Sequence, residues 1–259
     1  MDDSRIIGLV SGKGGVGKTS LCVNLGVAIS DLGYEVTLVD ADFSASNLGV
    51  YLGRYEHPVK IQDVLEGGAE MDSAIFRHPT GVKAITSSNE LADVEPETTD
   101  IGQILEEASK NSEFVLVDFP PGLDSTVSSI MEGCDELIII TMPTQTAGIN
   151  AAKKTKKAKL DRHAMLGSII NKVEKRPDRE LIDREVETMT ETHILSEIPY
   201  DPEMKEALFH HKPLVEYNPL SEASMEIKSL AADITGERYT KPKFARFKRK
   251  INNLRDKFS

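Results

Sequence analysis

The chain reads as an α/β protein: a mostly parallel β-sheet with helices on both faces. Three observations predict it. Apolar runs of strand length alternate with amphipathic segments of helix length, the order that right-handed β-α-β crossovers require. The runs are rich in Ile, Val and Leu, as strands covered on both faces must be, and the chain has no tryptophan. Two of the runs end in aspartates, at the sheet edge where parallel folds present ligand-binding groups.

Taken in order, "RIIGLV" (5–10) predicts a buried strand, followed by the glycine loop "SGKGGVGKTS" (11–20) and a helix from about 18 to 32. "EVTLVDAD" (35–42) is the second strand. "IQDVLEGG" (61–68) and "MDSAIFRHP" (71–79) predict short helices before a strand at "VKAIT" (82–86), and the acidic "NELADVEPETTD" (89–100) predicts an exposed loop. "FVLVDFPPG" (114–122), "ELIIITMP" (136–143), "MLGSIINK" (165–172) and "HILSEIP" (193–199) predict four more strands, with helices near 145–161 and 178–190. The last body helix spans about 221–234. No internal repeat and no Gly/Ser linker interrupts this order, so the expectation is one domain over 1–237 and a tail over 238–259.

Composition bounds the function. With 259 residues and 39% hydrophobic content the chain can bury a full core. Cys22 and Cys134 are far apart and form no CxxC, which suggests neither a disulfide framework nor a metal site and fits a reducing compartment. The start, "MDDSRIIGLV", is acidic where a signal peptide would be basic, and no run approaches the ~20 apolar residues of a spanning helix. The expectation is a soluble or peripheral protein. Net charge is −11, but residues 241–259 alone carry +7, leaving −18 on the rest. An acidic body is a poor general binder of nucleic acid, whose phosphates supply most non-specific affinity.

Gly12, Lys13, Gly14, Gly15, Val16, Gly17, Lys18 and Thr19 satisfy G-x-x-x-x-G-K-[ST] between a predicted strand and a predicted helix. Glycines there let backbone N–H groups wrap a phosphate, and the helix N-terminus favours the negative charge. Lys18 would reach the β- and γ-phosphates of ATP, and the Thr19 hydroxyl would bind Mg2+. Lys13 is one lysine more than such a loop needs. Asp40 and Asp42 close the second strand and Asp118 closes another; Asp118 can hold Mg2+ through water, and either of the first pair can orient a water for attack. A turn-capping role is the bland alternative for all three.

"KGGVGKTS" with its extra lysine, "VDADFSASNLG" and "DFPPG" together resemble the deviant Walker A ATPases of the MinD/ParA family, in order and spacing most like its MinD branch. The likeness runs over residues 5–235 and includes "IIN" (169–171) and "IPYDPEMKEALFHHKPL" (198–214). It implies a P-loop NTPase fold of the nitrogenase iron protein-like (SIMIBI) class and an ATPase that is slow until a partner stimulates it. It further implies that two ATP-bound subunits face each other and that Lys13 crosses to the partner's phosphates. By the same resemblance Asp42 orients the attacking water, and Asp40 and Asp118 serve the magnesium shell. Ser20 stands where many members have threonine, within reach of the α-phosphate, and Asn171 and the backbone near Pro199 meet the adenine.

The tail "KPKFARFKRKINNLRDKFS" carries Phe244, Phe247, Ile251, Leu254 and Phe258 at spacings of 3, 4, 3 and 4. On a helix these fall within an arc of about 80°, with basic residues mostly around the rest. That pattern describes an interfacial helix, phenylalanines at the acyl boundary and lysines among anionic headgroups. One such helix binds weakly, whereas two displayed by a dimer gain about 10²–10⁴ in avidity. A helix packed on the body, a disordered basic end and a short coiled coil are the alternatives.

Lesser features weigh toward the bland reading. The lysine-rich "AAKKTKKAKL" (151–160) is expected to be a solvated helix face, His210 and His211 surface residues, and Cys134 a buried small residue. The combined reading is a cytoplasmic, MinD-like ATPase on the inner face of the membrane. It would dimerise with ATP and position partner proteins in cell division or a related process. A flagellar or chemosensory positioning ATPase of the FlhG type and a DNA-partitioning ParA are the alternatives. The acidic body argues against the latter, and the lack of paired cysteines argues against an iron–sulfur carrier.

Overall fold

A computed structural model describes residues 4–43, 45–54, 57–88, 99–122, 125–175 and 180–242. Eight strands form one sheet: β1 (Arg5–Val10), β2 (Val36–Asp40), β3 (Ile75–Arg77), β4 (Lys83–Ile85), β5 (Phe114–Asp118), β6 (Glu136–Thr141), β7 (Ala164–Val173) and β8 (Ile194–Pro199). Their order across the sheet is β3-β4-β2-β5-β1-β6-β7-β8. Every neighbouring pair is parallel except β3 with β4. β5 slots between β1 and β2, and its register sets Leu9 against Asp118 on one side and Asp40 against Asp118 on the other.

Side chains that alternate along each strand feed two cores, one on each face. Leu38, Leu116, Ile138 and Ile140 join the core built on α1 (Lys18–Ser30) and α11 (Glu222–Thr235). Val39, Val115, Val117, Leu137 and Ile139 join the opposite core, with Ile101, Ile104 and Leu105 of α5 (Thr99–Ser109), Val127 and Ile130 of α6 (Ser125–Glu132), and Ala151 and Ala158 of α7 (Gln145–Leu160). α1 is buried nearly all round, and Gly26 brings it onto the sheet: a Cβ there would sit 2.4 Å from Leu38 Cδ2. Its one interior amide, Asn24, donates to Ser20 O at 2.8 Å and accepts from Val215 N at 3.0 Å.

The remaining helices are short: α2 (Leu48–Tyr51), α3 (Ile61–Leu65), α4 (Met71–Ala74), α8 (Asp183–Thr190), α9 (Glu203–Phe209) and α10 (Leu214–Tyr217). The segment expected to be a helix over 71–79 is a helix only to Ala74. Ile75–Arg77 then pairs antiparallel with β4, because an open sheet edge offers that stretch hydrogen bonds a short isolated helix lacks. The acidic segment expected to be a loop over 89–100 lies outside the described residues to position 98, and α5 begins at Thr99. The lysine-rich helix is not a uniformly solvated face. Lys153, Lys156 and Lys159 are exposed, but Lys154 is fully buried and its ammonium donates to Gly122 O at 2.5 Å. His210 and His211 are exposed and Cys134 is half-buried. Among the described residues no helix is long and apolar enough to cross a membrane.

Candidate nucleotide-binding site

The loop between β1 and α1 sits at the C-terminal edge of the sheet. Gly15 (φ 79°) and Gly17 (φ 92°) adopt left-handed conformations that side chains resist, and a Cβ at Gly14 or Gly15 would meet nothing within 4 Å. No side chain caps α1, so its first-turn N–H groups are left for a ligand. The loop is held from the opposite strand. Asn171, at the end of β7, donates its amide to Val16 O at 2.7 Å, and Lys172 Nζ donates to Gly15 O at 2.7 Å.

At the start of α1, Lys18 Nζ lies 2.6 Å from Asp118 Oδ1, with both side chains buried. The Thr19 side chain lies close enough to help hold the Asp118 carboxyl down. Among the described residues Asp118 Oδ2 is buried without a partner, a costly state for a carboxylate oxygen and an open valence for a cation. Asp40 is fully buried beside it. Its carboxylate accepts from Ser46 Oγ at 2.7 Å, Asp42 N at 3.1 Å and Leu48 N at 3.4 Å. Burial, and after it the Asp118 charge, pushes the Asp40 pKa up to about 7. Asp118 is also pushed up by burial, with Lys18 and Thr19 opposing.

The structure thus gathers Lys18, Thr19, Asp40 and Asp118 into one corner. Asp42 is buried next to it; its Oδ1 accepts from Ala45 N at 3.0 Å and its carbonyl from Ser87 Oγ at 3.2 Å. Lys13 stands apart and exposed; its carbonyl accepts from Ser11 Oγ at 3.1 Å. Ser20 is buried and its hydroxyl donates to Met204 Sδ at 3.0 Å. The Asn171 amide is already spent on the loop, and Oδ1 accepts from Lys172 N at 2.9 Å. Pro199 closes β8 opposite Val173 and is half-buried. Phe244, Phe247, Ile251, Leu254 and Phe258 lie outside the described residues.

Three contributors escaped the sequence reading: Ser46 on Asp40, Lys172 on the loop, and buried Lys154 on the Pro-Pro-Gly turn after Asp118. Ser46 stands in the quoted "DADFSASN", but no local pattern says which acid a serine will meet. Chemically, a lone buried cation, a hydroxyl and uncapped helix N–H groups suit a polyphosphate. Two carboxylates and a hydroxyl at its end suit Mg2+, which takes one or two carboxylates and completes its shell with phosphate oxygens and water.

The CobQ/CobB/MinD/ParA nucleotide-binding domain family matches residues 7–214. An uncharacterised ATP-binding protein of Methanocaldococcus jannaschii is 31% identical over 259 residues, covering 97% of this chain and 94% of that one. The septum site-determining protein MinD of Pyrococcus horikoshii, complexed with Mg-ADP, is 29% identical with a TM-score of 0.84, covering 89% of this chain and 96% of its own. The cell division ATPase MinD of Pyrococcus furiosus is 31% identical, also at a TM-score of 0.84, covering 90% and 99%.

Proposed function

The chain belongs to the CobQ/CobB/MinD/ParA nucleotide-binding family, and on that premise we propose that it is a MinD-like ATPase. It takes Mg-ATP into the Gly12–Ser20 loop and dimerises while ATP is bound. It then attaches to an anionic membrane through its C-terminal tail and positions partner proteins there. The observation that carries the nucleotide reading is the buried convergence of Lys18, Thr19, Asp40 and Asp118 at the mouth of an uncapped helix. The Mg-ADP held by the Pyrococcus horikoshii relative supports it.

Each residue then has a task. Lys18 binds the β- and γ-phosphates, which compete with Asp118 for the same ammonium. Thr19, Asp40 and Asp118 would hold the magnesium, whose charge neutralises that on the phosphates; the unpartnered Asp118 Oδ2 fits this. Asp42 orients the attacking water, with its carboxylate fixed by Ala45 N. Lys13, exposed in the monomer, supplies a cation to the facing subunit's phosphates, the task an arginine finger performs elsewhere. Asn171 keeps the loop in shape and, with the backbone near Pro199, flanks the adenine. Ser20 lies below the loop, where a rotation of its hydroxyl would exchange Met204 for the α-phosphate.

Co-sedimentation with vesicles containing anionic lipid tests the membrane reading. The wild type pellets with ATP, less with ADP, less on neutral lipid and less at high salt, because surface charge is screened. Ile251→Glu places a charge in the apolar arc; it stays in the supernatant and still binds ATP. Wild-type protein left in the supernatant with ATP and anionic lipid would sink the membrane part.

A further inference from the structure

Lys154 is a buried cation to which the nucleotide site as described gives no task. Five lysines stand between positions 153 and 159 of α7, and Lys154 alone among them is fully buried. Taking an ammonium out of water is costly, and an apolar side chain of similar length would fill the space without that cost. Packing therefore does not account for a lysine here.

The Lys154 ammonium donates to Gly122 O at 2.5 Å, across 32 positions of sequence. Gly122 belongs to the turn that leaves β5 after Asp118. That turn is short of donors, because Pro120 and Pro121 carry no N–H. Gly122 itself sits at a φ of 108°, a conformation that side chains resist. Lys154 supplies from α7 a donor that the turn's own backbone lacks.

One helical turn earlier, α7 meets the phosphate loop. A Cβ on Gly12 would lie 2.3 Å from Asn150 O, so the two backbones touch there. Residues 150 and 154 share a face of the helix, and that face backs the loop at one point and the turn at the next. Ala151 and Ala158 seat the same helix on the sheet. Lys154 thereby fixes the turn relative to the loop through one rigid element.

Two buried lysines thus bracket the segment from Asp118 to Gly122. Lys18 holds Asp118 Oδ1 at 2.6 Å, and Lys154 holds Gly122 O. A nucleotide treats them differently. Phosphates draw the Lys18 ammonium away from Asp118, whereas Lys154, enclosed on all sides, keeps its acceptor. We infer that Lys154 is a positioning residue for the ATPase reaction: it keeps Asp118 and the turn after it in place against the phosphate loop once Lys18 has gone over to the phosphates. The catalytic part of this inference rests on the nucleotide reading proposed above; the tie to Gly122 does not.

The test uses the full chain and the variant Lys154→Met, which keeps the length of the stem and removes the charge. Its thermal stability should equal or exceed that of the wild type. Amide hydrogen exchange over residues 117–131 should be about threefold faster or more without nucleotide, and the gap should widen with ATP. ATP affinity should stay within about threefold, while kcat falls by about tenfold or more, the scale of a reacting group slightly misplaced. Lys156→Met, on the exposed face of the same helix, should change none of these. Where Lys154→Met does not fold, Lys154→Gln, shorter but still a donor, is read in the same way with smaller shifts. Exchange equal to wild type overturns the tie. Faster exchange with an unchanged kcat, or a loss of ATP affinity as large as the loss of kcat, overturns the positioning role. A wild type that binds no ATP removes the nucleotide reading instead, and the exchange without nucleotide still decides the tie.

Discussion

Lys18 Nζ and Asp118 Oδ1 are 2.6 Å apart although their residues are a hundred positions apart in sequence. The pair is buried, and the parallel register sets Asp40 next to Asp118 on the neighbouring strand. One ammonium therefore pairs with Asp118 in a dry corner that also holds the buried Asp40. Burial raises both acids; the Asp118 charge adds to the rise of Asp40, which reaches about 7, and the Asp42 charge adds to that of Asp118. Such an arrangement costs folding energy. It makes sense as a site poised for a ligand that brings both negative phosphates for Lys18 and positive charge for the aspartates.

The two lysines of the loop should separate cleanly. Lys18→Ala lowers ATP affinity by about 100-fold, the scale of losing charge-assisted hydrogen bonds. Lys13→Ala leaves affinity within a few-fold but loses the ATP dimer and turnover. Titration with a fluorescent ATP analogue and gel filtration in ATP check both. A Lys13 variant that dimerises and hydrolyses normally contradicts the trans role.

Asp42→Ala removes the group proposed to orient the water while keeping the Lys18–Asp118 pair. Hydrolysis should fall by about 10²-fold or more while the ATP-bound dimer accumulates. Phosphate release and gel filtration in ATP decide it; a monomer under those conditions moves the role to another acid.

Asp40 predicts a pH dependence. Its folded pKa of about 7 lies above the ordinary 3.8, so the native state binds the proton more tightly than the unfolded chain. Its contribution to stability is full below about pH 4 and is lost as pH rises to about 7, amounting to a few kcal/mol at most. Asp40→Asn removes that loss, so its stability relative to wild type should rise from pH 5 to pH 8. Urea denaturation at the two values measures it. Glu197, raised to about 7 chiefly by its hydrogen bond with Asp183, titrates in both proteins and cancels in the difference. An advantage that shrinks with pH would refute the assignment.

Gly17→Ala tests the loop geometry. A Cβ there would sit 2.4 Å from Asn171 Nδ2 at a φ of 92°, so the variant strains the backbone and pushes Asn171 off Val16. Expected are a loss of about 1–3 kcal/mol in stability and a larger proportional loss in ATP affinity. Unchanged ATP affinity would show that the Asn171 clamp is dispensable.

Much of this molecule was legible because its signals are local. A glycine loop between an apolar strand and a helix announces itself in ten residues, and β1, β2 and β5–β8 are runs whose composition suits a covered parallel sheet. The sequence also placed Asp40 and Asp118 at strand ends. What it could not supply is adjacency. That β5 lies between β1 and β2, so that Asp118 touches both Lys18 and the Asp40 strand, is a matter of strand order, and strand order is chosen by packing of whole elements.

The same division explains the misreadings. Residues 75–77 became β3 because a free sheet edge was available to them, a fact located on β4 and not in their own pattern. Lys154 looked like one of several solvated lysines, yet it is buried because the Pro-Pro-Gly turn offers a carbonyl at that point of α7. By itself the sequence determined where a glycine loop opens a helix, which segments form strands, and the sign of charge on body and tail. Only the tertiary structure decided that the buried Lys18 pairs with Asp118 beside Asp40 and that Lys241, at the start of the basic tail, pairs with Glu226 of α11. Both are long-range electrostatic relationships, set by which surfaces the folded sheet brings within a few ångströms of each other.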